Sequence, residues 1–193
     1  MASHDPARRL VLRDGRAVTL RPIADTDGPE IQQAFDRLSP PSRYSRFMHT
    51  RIELDAAALE RGLHPRAGRD FVYVATVPAD DGIDIVGAAQ YVALDPDAAA
   101  NASGDRVCEF AITVADDWRG TGLASELLAS LVRRAAHDGH ATIEGWVLSD
   151  NQAMLALARR LGFVVEPVPG DASVLRVSCA LPRPDPGAPD AAR

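Results

Sequence analysis

The segment Phe110 to Ala124 reads FAITVADDWRGTGLA: an apolar run, a short polar turn and the start of a helix, with no spacer. Few folds satisfy such a segment. A strand must stop where a helix begins, and the small residues Gly120, Gly122 and Ala124 must leave backbone N–H groups uncovered at the positive end of that helix. Arg119, Gly122 and Ala124 form the pattern Arg/Gln-x-x-Gly-x-Gly/Ala. This turn is an anion site, and a pyrophosphate suits it. It lacks the Lys-Ser/Thr of nucleotide hydrolases and the Gly-x-Gly-x-x-Gly of dinucleotide folds. A second strand and helix follow, ending at Leu161-Gly162-Phe163.

The flanking sequence predicts the rest of the organisation. Leu10-Val-Leu12 and Val18-Thr-Leu20 around Asp14-Gly15 read as a hairpin, and Pro22 ends its second strand. Ala24-Asp-Thr-Asp27 offers a cap for a helix through Ile31, Ala34, Phe35 and Leu38. Ser39-Pro-Pro41 breaks that helix. A short second helix is expected over 42–49, with Tyr44, Phe47 and Met48, and Asp55 caps a third. Strands are expected over 71–77 and 85–94, joined by a turn at Asp80 to Gly82, and the Ala-rich stretch 95–105 is a loop. The central strand spans 106–114. In the next helix Leu123, Leu127, Leu128, Leu131 and Val132 share one stripe, and Gly139 ends it. A strand over 142–148 precedes a helix over 151–161, which Gly162 stops. Val164-Val165 and 174–180 supply the last strands. The Pro-rich stretch 182–193 reads as a disordered tail, so a single domain is expected over 1–181.

Composition narrows the classes. At 46% hydrophobic residues the chain has enough apolar side chains for a core, and a net charge of −6 argues against a nucleic-acid partner. Cys108 and Cys179 both sit in apolar surroundings and read as buried thiols in a reducing, cytoplasmic compartment. His137 and His140 lack the partners a metal site needs, so no metal is expected. No apolar run is long enough for a membrane span, and the polar N-terminus is no signal peptide. Asn101-Ala-Ser103 is then a chance glycosylation sequon.

The order of parts carries a resemblance. Glu109 precedes the turn, a helix follows, then a strand ending near Asn151, then a helix closing on Leu-Gly-Phe. Over Val18 to Ala180 this resembles the GNAT superfamily of acyl-CoA-dependent N-acyltransferases. The resemblance implies an α+β fold, a mixed, mostly antiparallel sheet flanked by helices, with two central strands splayed apart to hold acetyl-CoA. It implies that the pantetheine arm pairs with the backbone at Ile112, Thr113 and Val114, as an added strand. The pyrophosphate then falls on the N–H groups of Arg119, Gly120, Thr121, Gly122, Leu123 and Ala124. Asn151 matches the family position that contacts pantetheine; its other reading is a helix cap, a role Asp150 fills equally well. Many members carry a Tyr seven residues after this Asn to protonate the leaving thiolate, and here that position is Ala158. A thiol pKa of about 8.5 lets the thiolate leave without an acid.

Strand alternation puts Glu109 on the cleft side with Ala111 and Thr113, while Cys108 and Phe110 face the other way. Glu109 reads as the general base for the attacking amine, or as a strand Glu in a salt bridge. Ser42-Arg-Tyr-Ser-Arg-Phe47, behind the hairpin and Arg21-Pro22, is similar to a segment of bacterial Pat-type lysine acetyltransferases. In this fold the first two helices form one wall of the acceptor groove, so the segment reads as acceptor recognition or as a structural cluster with Tyr44 and Phe47 in the core. The expected activity is acetyl transfer from acetyl-CoA to a primary amine, foremost a protein lysine, by a monomer or homodimer. The alternatives are a small-molecule amine as acceptor and a non-catalytic acyl-CoA-binding module.

Overall fold

The computed structural model describes residues 5–47, 54–80, 82–94 and 106–182, without the side chain of Phe47. The loop expected over 95–105, the end of the helix expected at Met48 and His49, and the tail from 183 onward lie outside the described residues.

Eight strands form one sheet in the order β1-β2-β3-β4-β5-β6-β8-β7. They are β1 (Arg8–Val11), β2 (Ala17–Pro22), β3 (Asp70–Ala79), β4 (Gly82–Ala93), β5 (Val107–Val114), β6 (Thr142–Leu148), β7 (Val164–Val168) and β8 (Asp171–Ala180). Three helices lie between β2 and β3: α1 (Gly28–Asp36), α2 (Pro40–Phe47) and α3 (Ala56–Leu63). α4 (Leu123–His137) joins β5 to β6, and α5 (Gln152–Arg160) joins β6 to β7. Every neighbouring pair is antiparallel except β5 and β6. A parallel pair cannot be closed by a hairpin, and α4 is the crossover it needs. The sheet is thus mixed and mostly antiparallel, flanked by helices.

Alternation along β5 divides the two faces. Cys108 and Phe110 are buried with Tyr91 and Ile143, under Leu123, Leu127, Leu128 and Leu131 of α4, each at most 1% exposed. Each such leucine contributes about 2 kcal/mol by leaving water. Val132, placed on the same stripe by the sequence, is only partly buried. The other face carries Glu109, Ala111 and Thr113, all partly exposed.

Several local expectations change. Asp27 does not cap α1, which begins with Pro29 in its first turn and no side-chain cap. Its carboxylate instead accepts both arms of Arg21, at 2.7 and 2.6 Å, and the Ala24 N–H at 2.8 Å. An arginine fork outcompetes a neutral N–H for a buried carboxylate. Pro40 and Pro41 separate α1 from α2 but also start α2, because the first turn of a helix does not use those N–H groups. The Asp55 cap forms as expected, accepting from the Ala57 N–H at 3.1 Å. Cys108 is fully buried, but Cys179, on the outer part of β8, is only half-buried, and both are free thiols. Among the described residues no helix is long and apolar enough to cross a membrane, and no group of residues could hold a metal ion.

Candidate active site

β5 and β6 are paired at three positions only, Val107↔Thr142, Cys108↔Ile143 and Glu109↔Glu144. Beyond Glu109 they part: β5 stays with β4 as far as Val114, and β6 stays with β8 along its whole length. Phe110 accounts for the parting. Its ring packs edge-on against Phe163, at 5.4 Å between centroids, and lies where a side chain on Gly145 would stand, 2.7 Å from the Cβ position. Only glycine lets the ring sit against β6. The result is a cleft of about 650 Å³ lined by β5, the turn after it, α2, β6 and the start of α5. From Phe110 to Val114 the β5 edge facing β6 has no strand partner, which leaves its backbone groups available to an added strand or an extended ligand.

The turn closes one end of this cleft. Gly120 and Gly122 adopt positive φ, 76° and 94°. Among the described residues the N–H groups of Gly120, Gly122 and Ala124 have no protein acceptor. The Leu123 N–H differs: the Thr121 hydroxyl oxygen accepts it at 3.2 Å, while that hydroxyl donates to the Trp118 carbonyl at 2.8 Å. Thr121 is therefore turned inward and buried, and its side chain does not line the cleft. Ile112, Thr113, Val114, Arg119, Gly120, Gly122, Leu123 and Ala124 all do. Two further cations reach the cleft that sequence reasoning missed, Arg13 and Arg160. Arg13 comes from the β1–β2 loop, its N–H bonded to the Thr121 carbonyl at 3.1 Å. Next to it Arg16 stacks on Trp118, 4.1 Å from the ring centre, and donates to the Asp117 carbonyl. Free N–H groups at a helix start beside arginines suit a diphosphate.

Glu109 stands at the vertex of the cleft, where the strands part. Burial and then the neighbouring charge of Glu144 raise its proton affinity, partly offset by Arg46 and by a hydrogen bond from Trp146. Asn151 lines the cleft too, while its side-chain oxygen caps α5 by accepting the Met154 N–H at 3.1 Å. Asp150 makes no such cap. Ala158 is buried in the core away from the cleft, where Met154 and Leu157 face instead. None of the three tyrosines lines the cleft: Tyr44 is exposed, and Tyr73 and Tyr91 are buried with their hydroxyls on Asp5 and Asp138. Cys108 sits under the sheet, where burial pushes its thiol up, so it offers no nucleophile.

The Ser42-to-Phe47 segment divides in two. Ser42, Ser45 and Arg46 line the cleft. Arg43 instead stacks on Phe35 at 4.7 Å and donates to the Leu38 and Asp36 carbonyls, fastening α2 to α1. Tyr44 is 47% exposed and does not belong to the core. The start of α2 is capped from afar by Asp116, which accepts the Ser39 N–H at 2.9 Å and the Ser42 hydroxyl at 2.5 Å. Arg119 closes the cluster, 2.6 Å from the Ser42 oxygen and 3.0 Å from Asp116. Burial alone would lift the Asp116 carboxyl, but the hydrogen bonds from Ser42 and Ser39 outweigh it and hold it below the usual range. The Arg119-to-Ala124 turn and α2 are thus one unit. Asp116→Ala is expected to destabilise the fold by about 1 kcal/mol, the scale of a lost cap, read as a lower urea midpoint. An unchanged midpoint would mean that the cluster contributes nothing to holding α2.

Residues 17–164 match the acetyltransferase (GNAT) domain family. The chain belongs to the GNAT acetyltransferases. It is 32% identical over 162 residues to acetyltransferase PA5475 of Pseudomonas aeruginosa, covering 84% of this chain and 83% of that one. The GNAT domain of S. lividans PAT superposes with a TM-score of 0.80 at 26% identity, covering 91% of this chain and 97% of that domain. The protein yncA of Salmonella typhimurium, solved with its cofactor acetyl-CoA, shares the fold at a TM-score of 0.62 and 21% identity, over 91% of this chain and 99% of that one. The protein is therefore an acetyl-CoA-dependent acetyltransferase. Its unpaired β5 edge and its free N–H groups beside Arg13 and Arg119 fit that donor.

Proposed function

We propose that this GNAT acetyltransferase moves the acetyl group of acetyl-CoA to the side-chain amine of a protein lysine, by direct attack with Glu109 as general base. One observation carries the mechanism: a half-buried carboxylate stands inside the cleft at the point where β5 and β6 separate. The thioester supplies the acetyl group, and the chain supplies position and proton transfer. The pantetheine arm runs along Ile112 to Val114, the diphosphate rests on the turn at Arg119 to Ala124, and the cap residue Asn151 borders the arm. An amine of pKa about 10.4 must lose a proton before attack, which costs roughly 4–5 kcal/mol at pH 7. Glu109 takes that proton, and its raised proton affinity suits the task. Backbone N–H groups along the free β5 edge polarise the thioester carbonyl. The thiolate leaves without a tyrosine acid.

Two features support a lysine acceptor. The Ser42-to-Phe47 segment is similar to Pat-type enzymes, and it places Arg46 and Ser45 on the cleft wall. A second cavity of about 710 Å³ lies under α1 and α3, with Ile31, Phe35, Leu38 and Leu59 on its walls, and meets the cleft at Arg46 and Thr113. Its apolar walls suit the methylene stem of a lysine whose amine reaches toward Glu109. Incubation with acetyl-CoA and candidate cytoplasmic proteins, read by mass spectrometry, is expected to show acetyl groups on lysine side chains. Rapid turnover of a free small amine with no protein acetylation would transfer the assignment to a small-molecule acceptor.

A further inference from the structure

Glu144 is the residue that the reaction as described leaves unused. It is the in-register neighbour of Glu109 on β6, in the last pair before the strands part. Paired residues of adjacent strands point to the same face, so Glu144 stands beside Glu109 on that face of the sheet, just behind the cleft that Glu109 itself lines. Glu144 is only 8% exposed. Arg176 of β8 holds it, donating from Nε to one carboxylate oxygen at 3.0 Å and from a second nitrogen to the same oxygen. The far side of that guanidinium reaches Glu166 of β7 at 3.4 Å. One arginine thus serves two glutamates, and Glu144 is fixed beside the carboxyl group of Glu109.

As a purely structural device this arrangement makes little sense. Burying a carboxylate costs several kcal/mol, and a second carboxylate alongside adds to the cost. The neighbours of Glu109 do not remove the conflict. Arg46 approaches from α2, Trp146 donates a hydrogen bond from β6, and the residues of β4 on the same face, Gln90 and Val92, are uncharged. A carboxylate in an acetyl-CoA cleft with a second one directly behind it is complementary to one thing that must come there, the positive charge of an amine acceptor.

We propose that Glu144, clamped by Arg176, is a positioning residue for the acceptor: with Glu109 it forms an acidic pair that draws the ammonium to the vertex and directs its proton to Glu109. This rests on Glu109 as the base. In the step itself an N–H bond of the ammonium breaks and an O–H bond forms on Glu109, leaving a neutral amine to attack. Arg176 holds Glu144 in place throughout, and the charge of Glu144 favours the protonated form of Glu109. The rise in Glu109 proton affinity, caused by burial and then by Glu144, agrees with this geometry.

The test is thiol release from acetyl-CoA across pH, with a lysine peptide and with n-butylamine as acceptors, for Glu144→Gln, Arg176→Met and Glu109→Gln. In Glu144→Gln the KM for either amine is expected to rise by about tenfold or more, the scale of one charge-assisted hydrogen bond. The acid limb of kcat/KM should move to lower pH, because Glu109 loses the neighbour that favours its proton. In Arg176→Met the acid limb should move the other way, because the charge of Glu144 then acts on Glu109 without a counter-charge. Affinity for acetyl-CoA, measured by calorimetry, should hold in both and reports an intact cleft. A structural salt bridge predicts something different: both variants lose stability together, and the acid limb and the amine KM stay in place. That result overturns the role of Glu144. If Glu109→Gln alone keeps the wild-type rate, the base assignment fails instead, and this inference falls with it.

Discussion

Gly122→Asp is expected to abolish acetyl-CoA binding while leaving most of the fold intact. Gly122 is the N-cap of α4 with φ of 94°, a left-handed conformation that costs most other residues about 1–2 kcal/mol and Asp less. A Cβ there would touch the Arg13 side chain at 3.4 Å, tight but not a collision. The larger effect is electrostatic. Gly120, Gly122 and Ala124, whose N–H groups have no protein acceptor, line the space proposed for the diphosphate, and an Asp side chain puts a negative charge among them. Two like charges 4 Å apart repel by about 4 kcal/mol at an effective dielectric of 20, so the loss should exceed about 100-fold. Gly122→Ala separates the causes: it carries the backbone strain without the charge, and its loss should stay near tenfold. Calorimetry with CoA decides. Undiminished affinity in the Asp variant would mean that the diphosphate lies elsewhere, and equal losses in both would assign the effect to strain.

What could be read from the sequence was what depends on neighbours along the chain. The turn was legible because Gly120 and Gly122 need positive φ, and because an apolar strand and a leucine stripe bracket them. The two faces of β5 followed from alternation, which fixes Cys108 and Phe110 below and Glu109 above. What escaped depends on register or on contacts between distant segments. Nothing in Thr142 to Leu148 says that Glu144 rather than Trp146 stands beside Glu109, since the long α4 crossover leaves the β5–β6 register open. The β1–β2 hairpin was visible, but its docking on the turn was not: Arg16 and Asp117 are 101 residues apart. Asp116 looked like an ordinary turn residue and turns out to cap a helix 74 residues away by sequence, through Ser42. Asp27 misled for the opposite reason. It stands where a local cap belongs, and Arg21 from the preceding strand claims it instead.

Glu109→Gln should separate catalysis from structure with opposite signs. Gln keeps the size and polarity of the side chain but cannot take a proton, so kcat at pH 7 is expected to fall by about 100-fold or more, the usual scale for a lost general base. The deficit should shrink as pH rises toward the amine pKa near 10.4, where free amine appears without help. Stability should move the other way. Burial and Glu144 raise the proton affinity of Glu109 above the ordinary value of 4.5, so in the folded protein its ionised form is disfavoured. Below the unfolded pKa the group is protonated in both states and costs nothing. Above the folded pKa the unfolded chain ionises more readily, so at neutral pH Glu109 weakens the fold. Its removal should therefore raise the urea midpoint at pH 7 and leave it unchanged near pH 3, a value chosen to lie roughly one unit below the unperturbed carboxyl. A strand Glu kept for a salt bridge behaves in the reverse way, losing stability with little change in the pH dependence of turnover. Wild-type rates across neutral pH together with a lowered midpoint would remove Glu109 from the mechanism, whereas a slower and more stable enzyme is what a base held in a costly place must give.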